Sequence, residues 1–209
     1  MILTRYLYNK PLVLLSLESA ILKKEYDESL FWAYELYFSG FQKEVLDCLE
    51  EIYVRYFKEN HPKLGLYITK KTAELGDNPE LVATIIKNFT MKRSDVCESP
   101  NSKFVNVKEH HIRSYYTKNP NGIPNWKFLR EVCLYSVISS GVNKINEWRS
   151  NWIMYCLNTP IWIERIQSYA SIKDNQILFE TEDSEEEFHN LYDYEPDEQP
   201  TEIQIKCTG

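Results

Sequence analysis

The stretch DESLFWAYELYFSGF, residues 27–41, decides the fold. Asp27 is a residue type that caps helices, Glu28 suits a helix's positive end, and Gly40 supplies a stop. Between them Phe31, Trp32, Tyr34, Tyr37 and Phe38 set rings around almost the whole circumference of the predicted helix. A helix apolar on every side is buried between other elements. The expected architecture is therefore all-α, with antiparallel helical hairpins stacked around a ring-filled interior. Glu35 lies among those rings, where few directions lead to water. A carboxylate in such surroundings needs a hydrogen bond or a counter-charge to stay ionised. One reading makes Glu35 a general acid or base. The other, favoured by the tyrosine-rich neighbourhood, makes it a buried acceptor bonded to a Tyr hydroxyl or a neighbouring helix end. Glu18, on the preceding predicted helix, is a candidate to face it.

Outward from this segment the helix signals recur. Asn9 followed by Pro11 predicts a first helix running to about Lys24. Leu46, Leu49, Tyr53 and Tyr56 stand at helical spacing between Gln42 and Asn60, and Pro62 closes that segment. A fourth helix spans Pro62 to Leu75 and stops at Gly76; Asn78 and Pro79 open a fifth that runs to about Phe89. From Met91 to Pro124 turn-forming residues replace periodicity, which predicts an irregular loop over 91–124. Helical patterns return at Trp126–Ser139, Asn143–Leu157 and Pro160–Ala170, and the alternating residues from Gln176 to Glu182 read as one strand or as extended chain.

Charge divides the chain in two. Residues 174–209 hold 12 acidic residues and one basic, whereas residues 1–173 hold 23 basic and 19 acidic, so the overall −7 combines a mildly basic body with a strongly acidic tail. The expected organisation is a helical domain over 1–173 and an acidic, largely disordered tail over 174–209. Five cysteines make an odd count with no CxxC pair, which argues against a disulfide framework or zinc knuckle and for a reducing, intracellular setting. The apolar run Leu12–Leu17 is too short for a membrane span, and no membrane association is expected.

Catalytic signatures are missing. No GxxxxGK[ST], GxGxxG, HExxH or GxSxG occurs, and six scattered glycines cannot build nucleotide-cradling loops. The adjacent pair His110 and His111 has no ligand spacing around it, so no metal and no cofactor are expected, and the chain reads as non-enzymatic. Two segments carry binding chemistry instead. Between Lys87 and Arg130 nine basic residues face three acidic ones. Within it Lys92, Arg93, Lys103, Lys108, Arg113 and Lys118 supply cations for phosphates, while Tyr115 and Tyr116 supply rings for unpaired bases. In the tail, acids alternate with Phe179, Phe188, Leu191, Tyr192 and Tyr194, the composition of a segment that docks on a protein partner.

RYLYNK at Arg5–Lys10, and the pattern FWxxELYxSGF built here from Phe31, Trp32, Glu35, Leu36, Tyr37, Ser39, Gly40 and Phe41, resemble a group of helical proteins from giant DNA viruses of the mimivirus type. The resemblance covers mainly the first sixty residues and implies a viral protein of the infected-cell cytoplasm or virion, without catalytic residues to carry over. The hairpin from Glu18 to Phe57 is also similar to the collar helices of clamp-loader subunits, whose ATPase motifs this chain lacks. The combined expectation is an interaction or scaffold protein that binds a protein partner through aromatic helical faces and the acidic tail. The alternative is a nucleic-acid-associated accessory factor using residues 87–130.

Overall fold

The computed structural model describes residues 2–5, 8–76, 78–94, 153, 154 and 156–192. It is mostly helical, with one two-stranded sheet among the described residues. The predicted irregular loop beyond Ser94 and the helix Trp126–Ser139 lie outside the described residues, as does most of Asn143–Leu157.

Helix α1 spans Lys10–Leu22 and α2 spans Tyr26–Tyr37. A tight reversal joins them: the Lys24 N–H donates to Ile21 and the Glu25 N–H to Ala20, with Lys24 in the left-handed region at φ 65°. This reversal starts α2 two residues earlier than expected, so Asp27 sits with Glu28 in the first turn and Glu25 takes the cap position. The far end of α2 closes in the same way. Gly40, at φ 92°, donates to Tyr37 and the Phe41 N–H reaches back to Leu36. A Cβ on Gly40 would lie 2.5 Å from Cβ of Pro160, so this position needs glycine for both conformation and space.

Helix α3 spans Gln42–Tyr56, shorter than the pattern predicts, because Phe57 leaves the helix to pack its fully buried ring. Helices α4 (Pro62–Leu75) and α5 (Pro79–Met91) match their punctuation: Gly76 ends the first at φ 57°, and the Asn78 side chain accepts from the Glu80 N–H at 2.8 Å to open the second. Helix α2 is the central element and packs against α1, α3 and α5. Leu30, Phe31, Trp32, Ala33 and Leu36 are all buried on it, as an all-round apolar helix requires.

The C-terminal part departs from expectation. Helix α6 (Pro160–Gln167) leads into β1 (Ala170–Lys173), which pairs antiparallel with β2 (Gln176–Phe179) from Ala170↔Phe179 to Lys173↔Gln176. Asp174 and Asn175 form the two-residue turn with φ 49° and 61°, the doubly positive geometry that matches hairpin twist. The domain boundary drawn at 173/174 therefore falls inside a hairpin. Helix α7 (Glu182–Leu191) follows, opened by a reciprocal capping box between Thr181 and Ser184. Its Phe188 packs against Tyr169, Phe179 and Tyr192, and Tyr192 packs edge-on to Trp162 at 5.1 Å. Residues 174–192 are thus part of the folded body rather than a disordered tail. Burial of the Phe188 and Tyr192 rings, with Phe179 half-buried beside them, outweighs the weak repulsion among acids that face water.

The segment Ile2–Asn9 ties the two halves together. It folds on itself through the Leu3↔Asn9 bridge and a 2.8 Å bond from the Thr4 N–H to Tyr8. From there Arg5 donates its backbone N–H to Ser39 Oγ at 2.7 Å, Trp162 Nε1 donates to the Thr4 carbonyl at 3.3 Å, and Thr159 Oγ1 donates to the Leu3 carbonyl.

Candidate functional site

Glu35 is fully buried, and its Oε2 accepts from Nε of Arg5 at 3.1 Å. The Arg5 guanidinium, itself 2% exposed, also lies 4.8 Å from the Phe38 ring centroid. Neither charge reaches solvent, so Glu35 cannot meet a substrate, and its reading as a general acid or base fails. To the expected Tyr hydroxyl or helix end the structure adds a counter-charge, Arg5, that spacing did not point to. Glu18 does not face it, since Glu18 Oε1 accepts from Arg55 Nη1 at 3.1 Å and from the Tyr56 hydroxyl. The Arg5–Glu35 pair is a structural bolt between the N-terminal segment and α2.

The rings singled out for a partner are spent on the interior. Phe31, Trp32 and Tyr37 are buried, and only Tyr34 and Phe38 of the rings around α2 are half-buried. In the C-terminal segment Phe188 and Tyr192 are buried and Phe179 is half-buried against the core. Only Leu191 of that set, at 41%, remains exposed among the described residues; Tyr194 lies outside them. Of the basic set, Lys92 is partly buried and Arg93 exposed, while Lys103, Lys108, Arg113, Tyr115, Tyr116 and Lys118 lie outside the described residues.

What the structure adds is a cleft of about 470 Å³ where the start of α4 meets the last turn of α5. Asn60, His61, Pro62 and Lys63 line one side with Leu64 and Tyr67; Asn88 and Lys92 line the other. Both walls are pinned from beneath. Under α4, the Tyr53 hydroxyl donates to the Pro62 carbonyl at 3.2 Å, and the helix approaches so closely that a Cβ on Gly65 would lie 2.7 Å from that oxygen. Under α5, Lys24 Nζ donates to the carbonyls of Phe89 (3.0 Å) and Lys92, placing a cation at the negative end of the helix. Burial lowers the Lys24 pKa from its ordinary value. Its ammonium lies 4.8 Å from the Phe57 ring centroid, and Phe57 stacks on Phe89 at 4.8 Å. His61 bridges the walls, its Nε2 lying 2.9 Å from the Arg93 carbonyl. Of the residues lining the cleft, none is acidic.

Lys92 is the one residue of this cleft that the sequence reading had marked. Lys63 and Tyr67 were missed, although their i, i+4 spacing on the predicted fourth helix was available as a signal.

Comparison with known proteins yields no matching family model, curated protein or solved structure.

No group of three His, Cys, Asp or Glu side chains among the described residues is placed to hold a metal ion, and no described helix is long and apolar enough to cross a membrane. Burial, with the nearby Glu18 and Glu51 charges, pushes the Cys48 thiol up to about 12 from its ordinary 9.0. The fold thus holds this thiol neutral. The stability that comes from keeping it so is complete below about pH 9 and is lost as pH rises from 9 towards 12. At about pH 8 the thiolate fraction is roughly one in ten thousand. Iodoacetamide should therefore leave Cys48 unmodified in the folded protein and alkylate it after denaturation, as read by peptide mass spectrometry; equal labelling in both states would contradict this burial.

Proposed function

We propose that the protein acts by binding rather than by catalysis, and that the partner it engages carries dense negative charge, as nucleic acid does. The observation that carries this reading is the character of α4 and its surroundings. Leu64 is the only fully buried residue on that helix, while Lys63, Tyr67 and Lys70 face solvent. Between Lys58 and Arg93 seven basic residues stand against four acidic ones, and the sequence continues into the basic stretch that ends at Arg130. Cations on one surface neutralise phosphates and release counterions, and an exposed ring offers a stacking platform for an unpaired base.

A salt titration tests this directly. Fluorescence anisotropy with a labelled single-stranded oligonucleotide and its duplex should give affinities that fall linearly in log–log form as salt rises. Absence of salt-sensitive binding to either nucleic acid would remove the reading.

A second reading, an interaction or scaffold protein, is favoured by Leu66 and Met91, which are 75% and 76% exposed beside the same cations. Large apolar side chains so exposed can desolvate against a protein partner. Under this reading the contact surface is the α4 face and not the rings of α2. The likeness of the FWxxELYxSGF segment to giant-virus proteins supports a setting in the cytoplasm of an infected cell or in the virion.

A further inference from the structure

The cleft between α4 and α5 has a more specific chemistry than a generally basic surface. Its volume of about 470 Å³ falls within the range of small-ligand sites, roughly 300–1,000 Å³. Lys63 and Lys92 stand on its two walls, so an anion between them meets a cation from each helix. The first turn of α4, Pro62–Leu64, also lines it, and the positive end of the helix dipole adds to the same field. Tyr67 follows Lys63 by one turn on that helix and is 38% exposed, with the Lys71 ammonium 6.0 Å from its ring centroid, so the cleft offers a planar group an exposed ring with a cation beside it. Asn88 donates one amide hydrogen to the Thr84 carbonyl at 2.9 Å, which fixes the amide and leaves its oxygen able to accept. An anion site, a ring platform one helical turn away and an amide acceptor across the gap are together the requirements of one nucleotide.

We infer that this cleft binds a nucleotide, with the phosphate between Lys63 and Lys92 and the base against the Tyr67 ring. The inference rests on the polyanion-binding reading above and names its central subsite. The same chemistry is presented by a free mononucleotide and by one unit of a single strand, and the two sources are separable by experiment. In a duplex the base faces are stacked and unavailable, so duplex binding would use the cations alone.

The experiment uses the full chain and compares wild type with Lys63→Glu, Lys92→Glu, Tyr67→Ala and Tyr67→Phe. The probes are adenosine monophosphate, inorganic phosphate and a labelled oligothymidylate of about ten nucleotides, a length within known single-strand site sizes. Lys63 and Tyr67 are exposed, so their substitutions should leave unfolding curves unchanged. We expect Tyr67→Ala to weaken oligothymidylate binding about fivefold to a hundredfold and Tyr67→Phe to restore it. Each charge reversal should weaken binding and flatten its salt dependence. Adenosine monophosphate should bind more tightly than inorganic phosphate; equal binding would overturn the role given to Tyr67. If the oligonucleotide binds wild type and all four variants alike, the cleft assignment falls while the polyanion-binding reading survives. If the mononucleotide binds and the strand does not, the cleft assignment holds and the nucleic-acid reading falls. Binding of no probe would overturn both.

Discussion

Replacing Arg5 by Met is expected to destabilise the protein by about 3–5 kcal/mol, because it removes the cation paired with the buried Glu35 carboxylate. Urea denaturation with linear extrapolation gives the value. The guanidinium also packs against Phe38, so part of the loss is lost contact rather than lost charge. The double variant Arg5→Met, Glu35→Leu separates these contributions. Removing both charges leaves neither of the two buried without its counter-charge, so it should recover much of the stability lost in the single variant. An Arg5→Met protein as stable as wild type would mean that the pair does not bolt the N-terminal segment to α2. A double variant no better than the single one would place the cost in packing. Either result bears on Thr4 and Leu3 as well, since their carbonyls hold Trp162 and Thr159 from the same segment.

The second large effect is expected at Phe188. Truncation to Ala removes a ring without solvent exposure that contacts Tyr169, Phe179 and Tyr192, and should cost about 3–5 kcal/mol. Leu191→Ala, three residues on and exposed, should change stability by no more than about 0.5 kcal/mol. The contrast between the two distinguishes a docked α7 from an acidic appendage. If Phe188→Ala unfolds at the wild-type midpoint, the helix does not belong to the core.

How far the sequence exposes this arrangement depends on how local the cause is. The limits of α4 and α5 are legible because Pro62, Gly76, Asn78 and Pro79 act within one turn of themselves. The burial of α2 is legible because rings on every side of a helix have nowhere else to go. The hairpin is harder to read. Its strands are four residues each, and Asp174-Asn175 is a weaker signal for a doubly positive turn than a pair containing glycine. Helix α7 was obscured by composition: the acids at 182–187 read as solvated chain, although the Thr181–Ser184 cap and the single anchor Phe188 suffice once Trp162 and Tyr169 are near. The partner of Glu35 could not be found from spacing, because Arg5 is 30 residues away in a segment without periodicity. The cleft escaped for the same reason. Its walls come from two helices, and only Lys92 sits in a conspicuously basic run. Lys24 shows the general case: a residue chosen by a tight turn at the end of α1 also secures the end of α5, 65 residues later.

The rings and the buried ion pair hold the fold, and under the proposed function recognition falls to the surface where α4 begins and α5 ends. Amide chemical-shift mapping with the oligothymidylate tests that division most directly. Among the described residues, the account predicts shifts concentrated at Asn60–Tyr67 and at Asn88–Ser94, with Phe31, Trp32 and Glu35 unmoved. Shifts centred on α2 around Glu35, or an unchanged spectrum at saturating oligonucleotide, would contradict it.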